Sequence, residues 1–383
     1  TRRTGVQTGS VHTGAELTVV QLLPALQGGG VERGTLEVAG ELVRRGFRSI
    51  VISDAGRLVP DLLATGSEHV CWAIGRKSPA SLRRVRPLRR FLAEQQVDIL
   101  HARSRLPAWI AWLALRGMAP STRPHFVTTV HGLYSVNAYS AVMLRGERVI
   151  AVSRHARDYI LSSYPAVEPD RIRVIPRGID TAYYRKGYRP DDVWLADWYR
   201  QYPQTRDRFV VTLAGRPTRS KGVLDFIDIA GRLRALGIPA HGLLVGDIPA
   251  SREARIRRQI TTALEETGVG NAVTLTGFRG DLREVMALSD AVVSLSLHPE
   301  SHGRTVSEAL ALGRPVAGYA HGGVGEQLSS LFPEGCVEVG DRDAMAQRLA
   351  GWFREPPSLE DVTPWPLSRT LDATLELYLE IAG

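Results

Sequence analysis

Two stretches of this sequence place charged and hydrogen-bonding side chains where an apolar run gives way to a helical pattern. The first is Ala214-Gly215-Arg216-Pro217-Thr218-Arg219-Ser220-Lys221-Gly222. The run before it ends at Ala214. Leu224, Ile227, Ala230 and Leu233 then repeat every three to four residues until Gly237 and Pro239 stop them. Arg216 and Lys221 therefore fall in a strand-to-helix loop beside a positive helix end. A guanidinium fork and an ammonium point charge in that position suit a diphosphate. Lys221 stands out further, because only Lys77, Lys186 and Lys221 among the 48 basic residues are lysines. The plainer explanation is a solvated basic loop.

The second stretch is His298-Pro299-Glu300-Ser301-His302-Gly303-Arg304-Thr305-Val306-Ser307-Glu308-Ala309-Leu310. It follows the apolar run Ala291–Leu295 and opens a short helix closed by Gly313 and Pro315. Backbone amides after Glu300 can donate to a bound anion or sugar, and Gly303 lets a ligand approach the backbone closely. Glu308, about one turn into the helix, can accept two hydroxyl hydrogen bonds, as a ribose diol would offer. Glu300 can hold hydroxyls of a sugar. His298, Glu300 and His302 alternate like metal ligands, but the turn residues between them break a strand and no fourth ligand is evident, so no metal site is expected. Asp341-Arg342-Asp343 is an acidic pair better explained as a helix cap.

These segments need a scaffold, and the chain supplies one twice. Candidate strands in the front half are Leu17–Leu23, Ser49–Ser53, Ile99–His101, Phe126–Val130, Arg148–Val152 and Arg173–Ile175. In the back half they are Phe209–Ala214, Ala240–Val245, Ala272–Thr276, Ala291–Leu295, Pro315–Ala317 and Cys336–Val339. Helical patterns lie between them, among them Val31–Arg45, Leu82–Gln95 and Ser153–Ser162 in front and Gly222–Leu236, Ala254–Thr267, Asp281–Leu288, Arg304–Leu312 and Asp343–Phe353 behind. Apolar strands alternating with helices imply parallel sheets covered on both faces. The fold expected is α/β, with two doubly wound, Rossmann-like sheets facing a central cleft and ligands at the carboxyl ends of the strands. The boundary is placed in Arg185–Arg208, which has weak periodicity. The domains expected are a flexible leader over 1–14, a first domain over 15–186, a second over 187–366, and a C-terminal helix over 367–383 that packs back on the first domain.

Composition sets the class. Of 383 residues, 44% are hydrophobic and 23% charged, the balance of a globular protein. Two cysteines, Cys71 and Cys336, exclude a disulfide framework and fit a reducing compartment. The longest uncharged apolar run, Leu106–Leu115, is about half of what a bilayer-spanning helix needs. The net charge of +8 is uneven: residues 1–150 carry 20 basic and 10 acidic side chains, residues 201–383 carry 19 and 23. A basic front half suggests an anionic partner, expected here to be phosphate or acidic lipid and not nucleic acid; the plainer explanation is a basic surface with no partner.

With those residues in place, the sequence resembles the retaining GT-B glycosyltransferases of family 4 across roughly residues 17–350. The specific element is the glutamate pair Glu300 and Glu308 followed by Ala309-Leu310-Ala311-Leu312-Gly313-Arg314-Pro315-Val316. The Gly215–Gly222 loop has the family's spacing. Gly29-Gly30-Val31-Glu32-Arg33, Val152-Ser153, Val174-Ile175-Pro176, Leu244-Val245-Gly246-Asp247 and Gly277-Phe278 agree as well. The resemblance implies a hexosyltransferase that takes its sugar from a nucleotide-diphosphate donor, UDP-sugar first and GDP- or ADP-sugar as alternatives, with no cofactor and no metal. It implies an acceptor-side domain over 15–186 and a nucleotide-sugar-binding domain over 187–366. It implies that Arg216 and Lys221 neutralise the leaving diphosphate, Glu308 holds the ribose and Glu300 the donor sugar. Gly303, Arg304 and Thr305 would lend amides, Gly29 and Gly30 would admit the phosphates, and His131 would contact the donor sugar near the reacting carbon. The acceptor implied is a glycan or lipid-linked glycan, anionic if the basic half contacts it, as in cell-envelope polysaccharide or lipopolysaccharide synthesis. Ser301-His302 replaces the family's usual small-aromatic pair, and Arg177 its common asparagine.

Three other activities fit less well. Gly28, Gly30 and Arg33 do not complete a dinucleotide-binding Gly-x-Gly-x-x-Gly, although Asp54 lies where its acidic partner would. A nucleotide-sugar epimerase or hydrolase of the same fold would turn over without acceptor. A non-catalytic binder of anionic surfaces would need the basic half and not the carboxylates. Within Leu82–Gln95, Arg83, Arg84, Arg86, Arg89 and Arg90 lie among Leu82, Val85, Leu88, Phe91 and Leu92, with Pro87 in the middle. This helix is expected either to cover a sheet or to dock on an acidic membrane, which would place a cytoplasmic protein on the inner face of the membrane.

Overall fold

A computed structural model describes residues 17–75, 79–248 and 250–383. The expected leader over 1–14 and Lys77 lie outside the described residues. The first seven strands are β1 (Thr18–Ala25), β2 (Arg48–Asp54), β3 (Glu68–Cys71), β4 (Ile99–Ala102), β5 (His125–Val130), β6 (Arg148–Ala151) and β7 (Ile172–Val174). Six more are β8 (Phe209–Ala214), β9 (Ala240–Val245), β10 (Val273–Gly277), β11 (Ala291–Ser294), β12 (Val316–Tyr319) and β13 (Cys336–Val337). The helices of the front half are α1 (Gly30–Arg44), α2 (Val59–Ala64), α3 (Val85–Glu94), α4 (Arg105–Leu115) and α5 (Arg154–Ser163). Next in the chain come α6 (Asp192–Gln201), α7 (Val223–Ala235), α8 (Glu253–Thr267), α9 (Leu282–Leu288) and α10 (Arg304–Ala311), then α11 (Gly322–Leu331), α12 (Arg342–Arg354) and α13 (Leu367–Ala382).

The strands form two sheets, ordered β3-β2-β1-β4-β5-β6-β7 and β10-β9-β8-β11-β12-β13. The pairings of β1 with β2 and β4, and of β8 with β9 and β11, are parallel. In each sheet the order reverses beside the first strand of that half, which leaves a switch point where loops can open for a ligand. Two such sheets make the GT-B architecture. The central strands are apolar because helices cover both faces: Val19, Val20, Leu22 and Leu23 of β1 and Val292 of β11 are essentially inaccessible.

The chain divides into two compact units. One takes the described part of Thr1–Thr128 with Arg145–Glu147 and Leu377–Gly383, the other Thr129–Leu144 with Arg148–Glu376. In the first unit Tyr378, near the end of α13, donates or accepts a 2.6 Å hydrogen bond with His101 of β4. Burial pushes the His101 imidazole well below its usual pKa. In the second unit the hydroxyl of Thr370, also on α13, donates to Pro176 O and accepts from Gly178 N, both at 2.7 Å.

Three elements differ from expectation for physical reasons. The strand β3 went unpredicted because Glu-His-Val-Cys at a sheet edge carries almost no apolar signal. Leu82–Gln95 is not one helix: a 3-10 segment, Pro79–Arg84, leads into α3, which begins at Val85. Pro87 thereby sits in the first helical turn, where a missing N–H costs nothing. The stretch expected to be irregular, Arg185–Arg208, contains α6, capped by Asp191 accepting from Trp194 N at 2.8 Å. Aromatic packing holds α6: Trp198 is 1% exposed, stacked on Trp194 and bonded to Thr205.

Candidate functional site

The basic loop Gly215–Gly222 follows β8, and the acidic segment 295–303 follows β11, its neighbour in the sheet. Leu297 N donates to Ser220 O at 2.9 Å and stitches the two together. Gly222 makes the approach feasible. Its φ is +74°, and a Cβ there would lie 2.1 Å from Leu295 O, so both its conformation and its surroundings demand glycine. On that junction Lys221 Nζ meets Glu300 Oε1 at 2.8 Å, and Ser296 Oγ also donates to Glu300. Both partners of this pair keep substantial exposure, 36% and 25%. Exposed pairs contribute only about 0–1 kcal/mol, so an incoming anion can exchange it at little cost. The Arg216 side chain is exposed and forms no ion pair among the described residues. Among the described residues the loop thus presents two cations without an ion pair, Arg216 and Arg219, and one weakly held one, Lys221.

Gly303, with φ +85°, caps α10. No acidic residue occupies the first turn of α10, so no carboxylate in that turn neutralises its positive end. Glu308 is 5% exposed. Arg304 Nε donates to it at 2.8 Å across one helical turn. The sequence assigned Arg304 only an amide, but its side chain compensates a buried carboxylate. Removing one partner of such a pair commonly costs about 3–5 kcal/mol. Thr305 is half-buried in the same turn. The α7 end is tied in separately: Tyr319 OH, at the end of β12, donates to Asp225 Oδ2 at 2.7 Å.

His131 directly follows β5 and belongs to the second unit. Its carbonyl accepts from Ser301 Oγ at 2.5 Å, which brings its backbone against the acidic segment. Gly29 and Gly30 belong to the first unit, where Gly29 is the N-cap of α1. Arg216, Lys221, Glu300, Gly303, Arg304, Thr305, Glu308 and His131 are therefore gathered in one unit.

His302 is buried, and burial beside Arg177 lowers its imidazole pKa to about 3, so the ring is neutral. Glu300 is already engaged by Lys221, and among the described residues no three His, Cys, Asp or Glu side chains converge as metal ligands would. Asp341 caps α12 by accepting from Ala344 N.

Sequence reasoning missed His321-Gly322-Gly323-Val324-Gly325-Glu326-Gln327. His321 Nε2 bonds Ser296 O at 2.7 Å, Gly323 N donates to Glu300 O at 2.6 Å, and Gln327 Nε2 donates to the carbonyls of His302 and Gly303. A Cβ on Gly323 would lie 2.5 Å from His302 Cα. Three glycines at the start of α11 hid its helical periodicity. Glycines clustered after the apolar β12 were the signal available.

Comparison with known proteins shows the family and the fold. The chain matches the family models Glycosyltransferase Family 4 over residues 28–183 and Glycosyl transferases group 1 over residues 197–364. It belongs to these glycosyltransferases. A 2-deoxystreptamine N-acetyl-D-glucosaminyltransferase of Streptomyces fradiae is 31% identical over 54% of this chain and 47% of its own length. An alpha-maltose-1-phosphate synthase of Mycolicibacterium smegmatis is 28% identical over 59% and 62%. The chain thus spans about half the length of the curated relatives it matches. Among solved structures, a glycosyltransferase from Rickettsia africae superposes with TM-score 0.83 at 27% identity, covering 96% of this chain and 99% of that one. HepE of Anabaena, solved in complex with UDP and glucose, gives 0.79 at 18% identity, covering 94% and 99%. The group 1 match covers the second sheet and both strand-end segments, and the Family 4 match covers the first sheet except β1. No helix among the described residues is long and apolar enough to cross a membrane.

Proposed function

We propose that this chain transfers a hexose-type sugar from a nucleotide-diphosphate donor, UDP-sugar foremost, to a glycan or glycolipid acceptor with retention at the anomeric carbon. The observation that carries this reading is the Lys221–Glu300 pair on the stitched junction between the two strand-end segments, with Arg216 exposed in the same loop. Arg216 and Lys221 neutralise the departing diphosphate together with the helix ends of α7 and α10, so the reaction needs no divalent metal. Glu308 takes the ribose hydroxyls. Glu300 and the amides from Gly303 to Thr305 take donor oxygens, while Gly29 and Gly30 leave room for the phosphates and His131 meets the donor sugar. UDP as the carrier is supported by the UDP, glucose and UDP-glucose named with Anabaena HepE. A cell-envelope acceptor is supported by the likeness of fold to WaaG, described as a glycosyltransferase involved in lipopolysaccharide biosynthesis. A location at the inner face of the cytoplasmic membrane is supported by the basic front half. Salt-sensitive pelleting with acidic vesicles tests that placement.

The functional experiment is a thermal-shift series with UDP-, GDP- and ADP-sugars in chelator, followed by NMR of the product formed with glycan acceptors. A specific donor at 100 times its Kd should stabilise the fold by about 2.7 kcal/mol. Absence of any nucleotide-dependent shift sinks the reading. Turnover without acceptor would show an epimerase or hydrolase instead, and an inverted product would remove retention.

A further inference from the structure

The acidic segment Glu300–Gly303 is gripped from a second direction. Ser153, the N-cap of α5, donates through Oγ to Ser301 O at 2.5 Å while accepting from Ala156 N at 2.9 Å. The two remaining first-turn amides of α5 point at a residue 171 or more positions away: Arg154 N donates to Glu326 Oε1 at 3.1 Å and His155 N to Glu326 Oε2 at 2.8 Å. The first turn of α5 has no acid of its own and carries Arg154 and His155 instead. Glu326 thus supplies, from α11, the negative charge that this helix end lacks. A closed ring of hydrogen bonds results. It runs from Glu326 to the first turn of α5, through Ser153 to Ser301, along the segment to the carbonyls of Glu300, His302 and Gly303, and back through Gly323 and Gln327 to α11. Ser301 extends the ring to the backbone of His131.

We propose that Glu326 is a positioning residue for sugar transfer. Its carboxylate clamps α5 to α11 and so fixes the backbone of Ser301 and His131 against the donor sugar. This rests on the transferase reading given above. Arg216, Lys221 and Glu308 lie outside the ring, and only Lys221 touches it, through Glu300, so nucleotide affinity depends on Glu326 less than the placement of Ser301 and His131 does. Geometry errors of about 1 Å at a reacting centre cost on the order of 10²-fold in rate.

The test compares wild type, Glu326→Ala and Glu326→Gln in three measurements: UDP affinity, kcat with the identified donor, and amide hydrogen exchange over 153–156 and 300–303. Glu326→Ala should retain UDP affinity within about threefold and lose on the order of 10²-fold in kcat. Both peptides should exchange faster. Glu326→Gln, whose amide oxygen still accepts from α5 without the charge, should recover about tenfold of the lost kcat. Unchanged kcat or unchanged exchange in Glu326→Ala overturns the proposal. So does a parallel fall of UDP affinity and kcat that Glu326→Gln does not relieve, which would mark plain structural damage. Failure of the wild type to bind any nucleotide would instead sink the functional reading, while the exchange result would stand by itself.

Discussion

Two glycine-bearing loops each open the helix that follows the first strand of a sheet, α1 after β1 and α7 after β8, and the structure treats their glycines differently. In Gly215–Gly222 the need for glycine is internal. Gly222 adopts φ +74° and leaves no space for a Cβ against Leu295 O. In Gly28–Gly30 the need is not internal at Gly29. Its φ is −177°, ordinary extended backbone, and a Cβ there would meet only the carboxylate of Glu32, the far end of a flexible side chain. Gly28 has φ +137°, but its near neighbour is again a movable side chain, Arg57. One loop is glycine-rich because the protein must close upon itself. The other keeps a glycine that its own unit does not require, which is what room for a ligand looks like from the protein side.

The largest expected effect tests whether the tightly built loop carries the chemistry. Lys221→Ala, Arg216→Ala and Glu308→Ala should each lower kcat/KM by on the order of 10²–10³, the first two with circular dichroism and stability unchanged, Glu308→Ala with a loss of stability because Arg304 is left unpaired. Near-normal activity in all three would leave the compact loop a mere structural junction. Next comes Gly222→Ala, where positive φ and backbone overlap together should remove about 3 kcal/mol of stability or more, read as an earlier denaturant midpoint.

A smaller effect probes His302, wedged between the two carboxylates in sequence. Its folded pKa of about 3 lies below the ordinary value near 6.5, so the folded state disfavours the protonated ring. The stability it contributes is fully present above pH 6.5 and is lost as pH falls from there toward 3. Between pH 7 and 5 this amounts to about 2 kcal/mol. His302→Phe should flatten the acid limb of a stability–pH curve by that amount, leaving the slope due to His101 and His241, which burial also lowers. An unaltered limb would show the ring to be solvated. The smallest effect completes the contrast: Gly29→Ala should shift stability by less than about 0.5 kcal/mol yet raise the donor KM. A drop in stability as large as that of Gly222→Ala would erase the distinction between the loops.

Much of the architecture was legible because parallel sheets need apolar strands, and apolar runs survive in a sequence without tertiary context. Twelve strands could be placed within a residue or two, including β8 and β9 at their observed limits. What was missed had weak local signal: β3 at a polar edge, α6 held by Trp198 and Trp194, and α11 behind its glycines. At the candidate site the charged residues were legible from their types and their place after β8 and β11. Arg304 as the partner of Glu308 was open to inference from its four-residue spacing on a helix, and was overlooked.

The amino-acid sequence alone determined the class of fold, the two strand-to-helix junctions and the residue types there, because periodicity and turn chemistry are local properties of the chain. Only the tertiary structure decided which of those residues touch. Lys221 on Glu300, Gly222 under Leu295 and Glu326 on the first turn of α5 join positions 73 to 172 residues apart. Hydrogen bonds and close approaches over such separations depend on how sheets and helices pack, and no spacing in the sequence encodes them.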